Sequence, residues 1–188
     1  LPPVTYQTRH VALTPQVTRF YKLIKDQMLV ETAGTVITAV NAASKISKLL
    51  QISGGAVYAE EGDTVVFDVR PRLETLLEVI EETENKVVVF VPFRHTIDLV
   101  GEYLTKEGIA NEVINGDVSA RERAVIINKF QTQKDPRVLI IQPQSASHGV
   151  TLTAADTVVF WSPVTSVETY LQCIARIDRV GQQNKMTV

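Results

Sequence analysis

The sequence is short of several things, and each shortage removes a class of explanation. It has one cysteine, Cys173, in 188 residues. No disulfide can form within the chain, so its stability has to come from a packed core, which a chain of this length can bury. The three histidines, His10, His95 and His148, are far apart in sequence and lack metal-ligand spacing, so no metal site is expected. No apolar run approaches the roughly 18 residues of a membrane span, and neither a leader peptide nor a membrane partner is expected. Basic residues are not in excess: 19 Lys and Arg stand against 21 Asp and Glu, for a net charge of −2. Any nucleic-acid-binding surface must therefore be a local patch and not a global field. There is no G-x-x-x-x-G-K-[ST] loop and no G-x-G-x-x-G, and Gly54-Gly55 is followed by Ala-Val-Tyr, with no lysine for a phosphate. The chain carries no complete nucleotide site of its own. It opens on LPPVTYQ without an initiator methionine, so a fragment of a longer polypeptide is expected.

What is present reads as α/β. Residues 1–13 look extended, with RHVAL as a strand. Thr14-Pro15 starts a helix, since Thr14 can cap free N–H groups and Pro15 suits the first helical position. Val36, Val40, Ala43, Ile46 and Leu50 give a second helix over about 35–51. SGGAVYAEEGDTVVFDV reads as a hairpin around Glu61-Gly62-Asp63. From Pro71 helices and strands alternate. KVVVFV at 86–91 is apolar on both faces, as a buried parallel strand should be. A helix follows over about 94–107, then a strand near 111–114, a helix near 119–131 opened by a Ser119/Glu122 capping box, and RVLII at 137–141. TVVFW at 157–161, a helix near 166–178 and a strand from about Met186 complete the pattern. Strands alternating with helices imply a parallel sheet covered on both faces, with functional loops at the strand C-terminal ends. The expected organisation is an N-terminal helical and hairpin extension over 1–70 and an α/β lobe over 71–188.

The chemistry concentrates in YLQCIARIDRVGQ, residues 170–182. On a helix from Ser166, the residues Val167, Tyr170, Leu171 and Ile174 form an apolar stripe for the core. Gln172, Arg176 and Arg179 share another face about 100° away. No helical neighbour of either arginine is acidic, and like charges at this spacing cost a few tenths of a kcal/mol. Two readings follow. The arginines are a solvated basic face or pair with a distant carboxylate; or both guanidiniums converge on an anion with planar oxygens, a phosphate above all. Cys173, mid-helix with no base near it in sequence, reads as a buried structural thiol.

The pattern Q-x-x-x-R-x-x-R-x-G-Q, met by Gln172, Arg176, Arg179, Gly181 and Gln182, resembles the final helicase motif of the Snf-type (switch/sucrose-non-fermenting) ATP-dependent DNA translocases of helicase superfamily two. ASHGVTLTAADTVVFWSP, KVVVFVPFRHTIDLV, INGDVSARERAVIINKFQ (with Arg123, Ile127 and Phe130) and KISKLLQISGG resemble further segments of that family, in order. SPVTSVETYLQ and HGVTL are most similar to bacteriophage versions. The sequence departs from the family at Thr151, where Asn is usual, at His148, where a small residue is usual, and at 164–166, which lack the usual Trp-Asn-Pro.

The resemblance implies a C-terminal RecA-like lobe. ATP with Mg2+ would be bound mainly by an absent N-terminal RecA-like lobe of the same polypeptide, and Arg176 and Arg179 would reach its γ-phosphate, Arg179 first. Gly149, Thr151, Gln172 and Gln182 would lie at the nucleotide. Phe93, Arg94, Ser119, Arg121, Gln144 and Ser145 would follow the backbone of double-stranded DNA, positioning it without reading sequence. The setting would be cytoplasmic, in a bacterial host for a phage protein. A docking lobe without catalysis, an RNA helicase or a restriction-type translocase is the alternative.

Overall fold

In the computed structural model of the chain, which describes residues 1–32 and 34–188, the elements follow in the order β1 (Val4–Thr5), α1 (Pro15–Gln27), β2 (Leu29–Thr32), β3 (Thr35–Thr38), α2 (Ala42–Gly54), β4 (Ala56–Tyr58), β5 (Thr64–Val66), α3 (Arg70–Glu81), β6 (Lys86–Phe90), α4 (Arg94–Lys106), β7 (Asn111–Ile114), α5 (Ala120–Thr132), β8 (Val138–Ile141), a 3₁₀ helix (Pro143–His148), β9 (Ala155–Phe160), α6 (Val167–Ile174) and β10 (Met186–Thr187). They divide into two units, His10–Thr75 and Leu1–Arg9 with Leu76–Val188.

In the first unit, α1 begins as its sequence dictates. Thr14 Oγ1 accepts the Val17 N–H at 3.4 Å, and Pro15 occupies the first turn. The helix expected over 35–51 is corrected. Thr35–Thr38 is a strand, paired antiparallel with β2 in the register Leu29↔Thr38 and Glu31↔Val36. Thr-Val-Ile-Thr is β-branched throughout, a composition that suits a pleated strand better than a helix. The helix waits for Asn41, whose Oδ1 accepts the Ser44 N–H at 2.9 Å while Ser44 Oγ accepts the Asn41 N–H at 3.0 Å. The hairpin after it is present, β4 pairing antiparallel with β5 from Ala56↔Val66 to Tyr58↔Thr64. Buried Gln51 joins α2 to this hairpin: its Oε1 accepts the Tyr58 N–H at 2.9 Å and its Nε2 donates to Ser47 Oγ at 3.1 Å. RHVAL is no strand; residues 9–13 form neither helix nor sheet.

The second unit holds a six-stranded, all-parallel sheet in the order β1-β10-β9-β6-β8-β7. The early strand is therefore Val4–Thr5 and not RHVAL. It pairs with β10, from the opposite end of the sequence, in the register Val4↔Met186. The central strands are apolar on both sides because both sides are covered. Val88, Phe90, Leu139, Ile141 and Val158 point into a cluster with Phe130 of α5, Cys173 of α6 and Ile177 beyond it, all buried. On the other face α4 approaches β8 closely through Gly101, where a Cβ would lie 3.6 Å from Ile140 Cδ1.

The opposite end of the strands is fastened by polar groups with long sequence separation. Asp156, at the start of β9, accepts from Asn85 Nδ2 at 2.7 Å, Thr157 Oγ1 at 2.8 Å and Thr83 Oγ1 at 3.1 Å. Arg137 donates to the carbonyls of Ile80 at 2.9 Å and Asn85 at 3.1 Å, and also to that of Thr83. Its guanidinium thus serves a carbonyl that the last turn of α3 leaves free and two in the turn that follows it. Asp156 is accordingly a structural fastening between β9 and the turn that links α3 to β6.

Candidate functional site

Helix α6 ends sooner than its apolar periodicity suggests. Ser166 caps it, accepting the Thr169 N–H at 3.2 Å, and Ala175 closes it. From there the chain proceeds in tight turns: the Ile177 and Asp178 N–H groups both return to the Ile174 carbonyl, at 3.0 and 2.9 Å. The face that enters the core carries Cys173, Ile174 and Ile177, while Val167 and Leu171 are exposed at 74% and 58%. Two expectations are corrected. Val167 and Leu171 are not core, and Gln172, Arg176 and Arg179 do not share one helical face. Ile177 must enter the core and the Arg176 carbonyl must meet the Leu152 N–H, at 2.9 Å. These tertiary contacts override the helical repeat.

The turn nonetheless brings the arginines to one loop. Arg176 donates Nε to the Gln172 carbonyl at 3.2 Å, and its Nη1 lies 3.9 Å from where a Cβ on Gly149 would stand. Arg179 donates Nη1 to the Val150 carbonyl at 3.2 Å. Gly149 has φ of 72°, the left-handed conformation that favours glycine, and closes the 3₁₀ helix there. Each arginine thus spends one donor on a backbone carbonyl. Among the described residues neither forms an ion pair, unlike Arg9 with Glu82, Arg94 with Asp117 and Lys129 with Glu112. The adjacent Asp178 neutralises neither of them, and its Oδ1 is buried without a hydrogen-bond partner. Two guanidiniums, each with four N–H groups left over, make a cationic pair suited to an oxyanion.

The other residues expected at the nucleotide are placed differently from one another. Thr151 is half-buried beside Val150 in the same loop. Gln172 donates to Glu168 Oε1 at 3.1 Å on the exposed side of α6. Gln182 is buried, at 6% exposure. Its Nε2 donates to the carbonyls of Ala155 at 2.8 Å and Ile177 at 3.3 Å, and its Oε1 accepts the Asn184 N–H at 3.0 Å. Cys173 is buried as expected, its Sγ 3.9 Å from the Pro143 carbonyl. Burial pushes the thiol from 9.0 up to about 12, against the opposing charge of Arg176. The native state therefore keeps this proton where the unfolded chain loses it, and the associated stability is lost as pH rises from about 9 towards about 12. Near neutral pH the expected result is that iodoacetamide leaves Cys173 unmodified in the native protein and alkylates it in denaturant, read by mass spectrometry.

The residues expected along a nucleic-acid backbone follow the C-terminal ends of β6, β7 and β8. Phe93 precedes α4, whose N-terminus has no side-chain cap. Arg94 meets the Asp117 carboxylate at 2.5 and 2.8 Å, an exposed pair. Ser119 and Glu122 form the capping box of α5, with bonds of 3.2 and 2.9 Å; the Ser119 hydroxyl, and after it the Ser119 N–H, hold the Glu122 carboxyl below its usual range. Arg121 is exposed on the first turn of α5. Gln144 is exposed on the 3₁₀ helix, whereas Ser145 is buried and its N–H donates to the Gln142 carbonyl at 2.8 Å. The His148 side chain lies outside the described residues. Among the described residues no cluster of His, Cys, Asp and Glu could hold a metal ion, and no helix is long and apolar enough to cross a membrane.

The parallel sheet covered by helices on both faces is RecA-like. It matches the crystal structure of the C-terminal part of the Fun30 ATPase domain with a TM-score of 0.74 at 16% identity, over 100% of this chain and 84% of that one. Residues 71–181, more than half of the chain, match the helicase conserved C-terminal domain, and the chain belongs to that family. It is 31% identical over 116 residues to the chromodomain-helicase-DNA-binding protein 1-like of Danio rerio, covering 62% of this chain and 11% of that protein. It is 25% identical over 206 residues to the CHD3-type chromatin-remodeling factor PICKLE of Arabidopsis thaliana, covering 100% of this chain and 15% of that protein. Similarity extends to the chromatin-remodeling ATPase INO80 of Schizosaccharomyces pombe, at 30% identity over 62% of this chain and 7% of that protein. The chain thus spans roughly a tenth of the length of these relatives.

Proposed function

We propose that this chain is the second lobe of an ATP-driven motor that moves along double-stranded DNA. In this reading Arg176 and Arg179 supply positive charge to the γ-phosphate of ATP held, with Mg2+, by another RecA-like lobe of the same polypeptide. One observation carries the reading. Two guanidiniums are brought to one glycine-containing loop, and among the described residues no carboxylate pairs with either. Arginine is suited to stabilising the charge of a transferring phosphoryl group. Relatives that are by name a chromatin-remodeling ATPase and a helicase-DNA-binding protein support it. Gly149 and Thr151 border the arginines and would sense the nucleotide.

The track for the DNA backbone would be formed by Phe93, Arg94, Ser119, Arg121, Gln144 and Ser145. The Arg94–Asp117 pair does not oppose this. An exposed ion pair is worth about 0–1 kcal/mol, so Arg94 can exchange its carboxylate for a phosphate at little cost. The uncapped start of α4 offers N–H groups to the same oxygens. The wordings SPVTSVETYLQ and HGVTL favour a bacteriophage version working in the cytoplasm of a bacterial host.

The test is ATP hydrolysis by the full-length protein with duplex DNA, with single-stranded RNA and with neither. Stimulation by duplex DNA is the expected result. Stimulation by RNA alone would move the protein to the RNA helicases, and absence of hydrolysis to the docking lobes. On the same protein, Arg121→Ala is expected to weaken DNA binding evenly across sequences. It should also flatten the slope of log K against log salt by about 1, the signature of one lost phosphate contact.

A further inference from the structure

We infer that Gln182 is a positioning residue for Arg179, acting through the backbone of the turn; the inference rests on the reading of Arg179 given above. The turn from Ala175 to Gln182 lacks the regular i→i−4 ladder that would hold a helix. Besides the Arg179 side chain's own bond to the Val150 carbonyl, two attachments to the segment leading into β9 hold it. At one end the Arg176 carbonyl accepts the Leu152 N–H at 2.9 Å. At the other, Gln182 Nε2 donates to the Ala155 carbonyl at 2.8 Å, at the start of β9. Arg179 lies between these two points, and its carbonyl accepts the Gln182 N–H at 3.0 Å. The second Nε2 hydrogen reaches the Ile177 carbonyl at 3.3 Å, two residues before Arg179. Gln182 Oε1 accepts from Asn184, which fixes the exit of the turn towards β10.

Both hydrogens of the Gln182 amide are used within the chain and the side chain is 6% exposed, so it presents no donor to a ligand. Gly181 permits the arrangement. Its φ is 106°, which a side chain would strain, and a Cβ there would meet Thr153 at 3.9 Å. A glutamine is specifically suited: it alone among uncharged side chains of this reach offers two donors to two carbonyls and an acceptor to a third group. Loss of these bonds frees the turn, and a reacting group displaced by about 1 Å can cost about 100-fold in rate.

The test uses the full-length protein and Gln182→Met, which keeps length and volume but removes the three bonds. The expected result is a kcat lower by up to about 100-fold with KM for ATP within about 3-fold of wild type. The same substitution placed on Arg179→Ala should cost nothing further, because two residues acting as a unit are non-additive. An undiminished loss on the Arg179→Ala background, or a raised KM with kcat intact, overturns the inference and leaves the reading of Arg179 standing. A wild-type kcat in Arg179→Ala alone instead overturns the reading beneath it. Where Gln182→Met does not fold by thermal melt, Gln182→Asn, one methylene shorter with its amide retained, is carried through the same cycle with the same outcomes.

Discussion

In the full-length protein, Arg179→Ala is expected to lower kcat for ATP hydrolysis by about 10³-fold or more while nucleotide still binds. The size follows from what the side chain would do. A guanidinium that reaches the γ-phosphate only as charge moves within the phosphoryl group stabilises the transition state more than the ground state. Each tenfold in rate corresponds to about 1.4 kcal/mol, so about 4 kcal/mol is asked of one arginine, within the range of a preorganised donor in a water-excluded cleft. Among the described residues Arg179 makes one side-chain hydrogen bond, to the Val150 carbonyl at 3.2 Å, worth about 1 kcal/mol to folding. The variant should therefore remain folded, and the loss should appear in kcat and not in the melting temperature. Arg179→Lys is expected to recover only part of the activity, because an ammonium lacks the planar fork that meets phosphate oxygens in pairs. Equal kcat in wild type and Arg179→Ala would make the arginine structural.

Phe130→Ala should destabilise the protein by about 3–5 kcal/mol. Phe130 lies on α5 at 0% exposure, among Val88, Phe90, Leu139 and Ile141 of the sheet and Cys173 and Ile177 around the arginine turn. The Lys86 ammonium sits 4.8 Å from its ring centroid, a cation–π contact. Removing the ring leaves a cavity at the point where α5, α6 and the sheet meet, and a rigid core collapses only partly around such a void. Since a domain is stable by only about 5–15 kcal/mol, a single substitution here removes a large share. Urea unfolding should show a lowered midpoint with an unchanged slope. A shift worth less than about 1 kcal/mol would mean that the site closes over the loss and that Phe130 is not central to the packing.

Legibility in the sequence followed the range of the interactions involved. β6 and β8 could be read because burial on both faces leaves a continuous apolar run, 87–90 in β6 and Val138–Ile141 in β8. The start of α5 could be read because a capping box is local, Ser119 to Glu122. The arginines could be read as a motif, but not their geometry. A helical repeat places Gln172, Arg176 and Arg179 on one face, whereas the end of α6 is decided by Leu152, twenty-odd positions earlier, taking the Arg176 carbonyl. β1 needed Met186 as its partner, and β3 needed Leu29–Thr32; neither pairing leaves a periodic trace. The same holds for the bonds of Asp156 to Thr83 and Asn85 and of Arg137 to the end of α3. No local signal distinguishes such an aspartate from a catalytic one. Gln182 was legible as part of a motif, yet its role is written in the carbonyls of Ala155 and Ile177.

The most direct test of the account is a structure of the full-length protein with ADP and aluminium fluoride, which stands in for the phosphoryl group in transfer. The account predicts the Arg179 guanidinium within hydrogen-bonding distance, about 3 Å, of the fluoride ligands, with Arg176 beside it and Gln182 still on the Ala155 carbonyl. An Arg179 that faces solvent in that complex, or pairs with a carboxylate of its own chain, would contradict it.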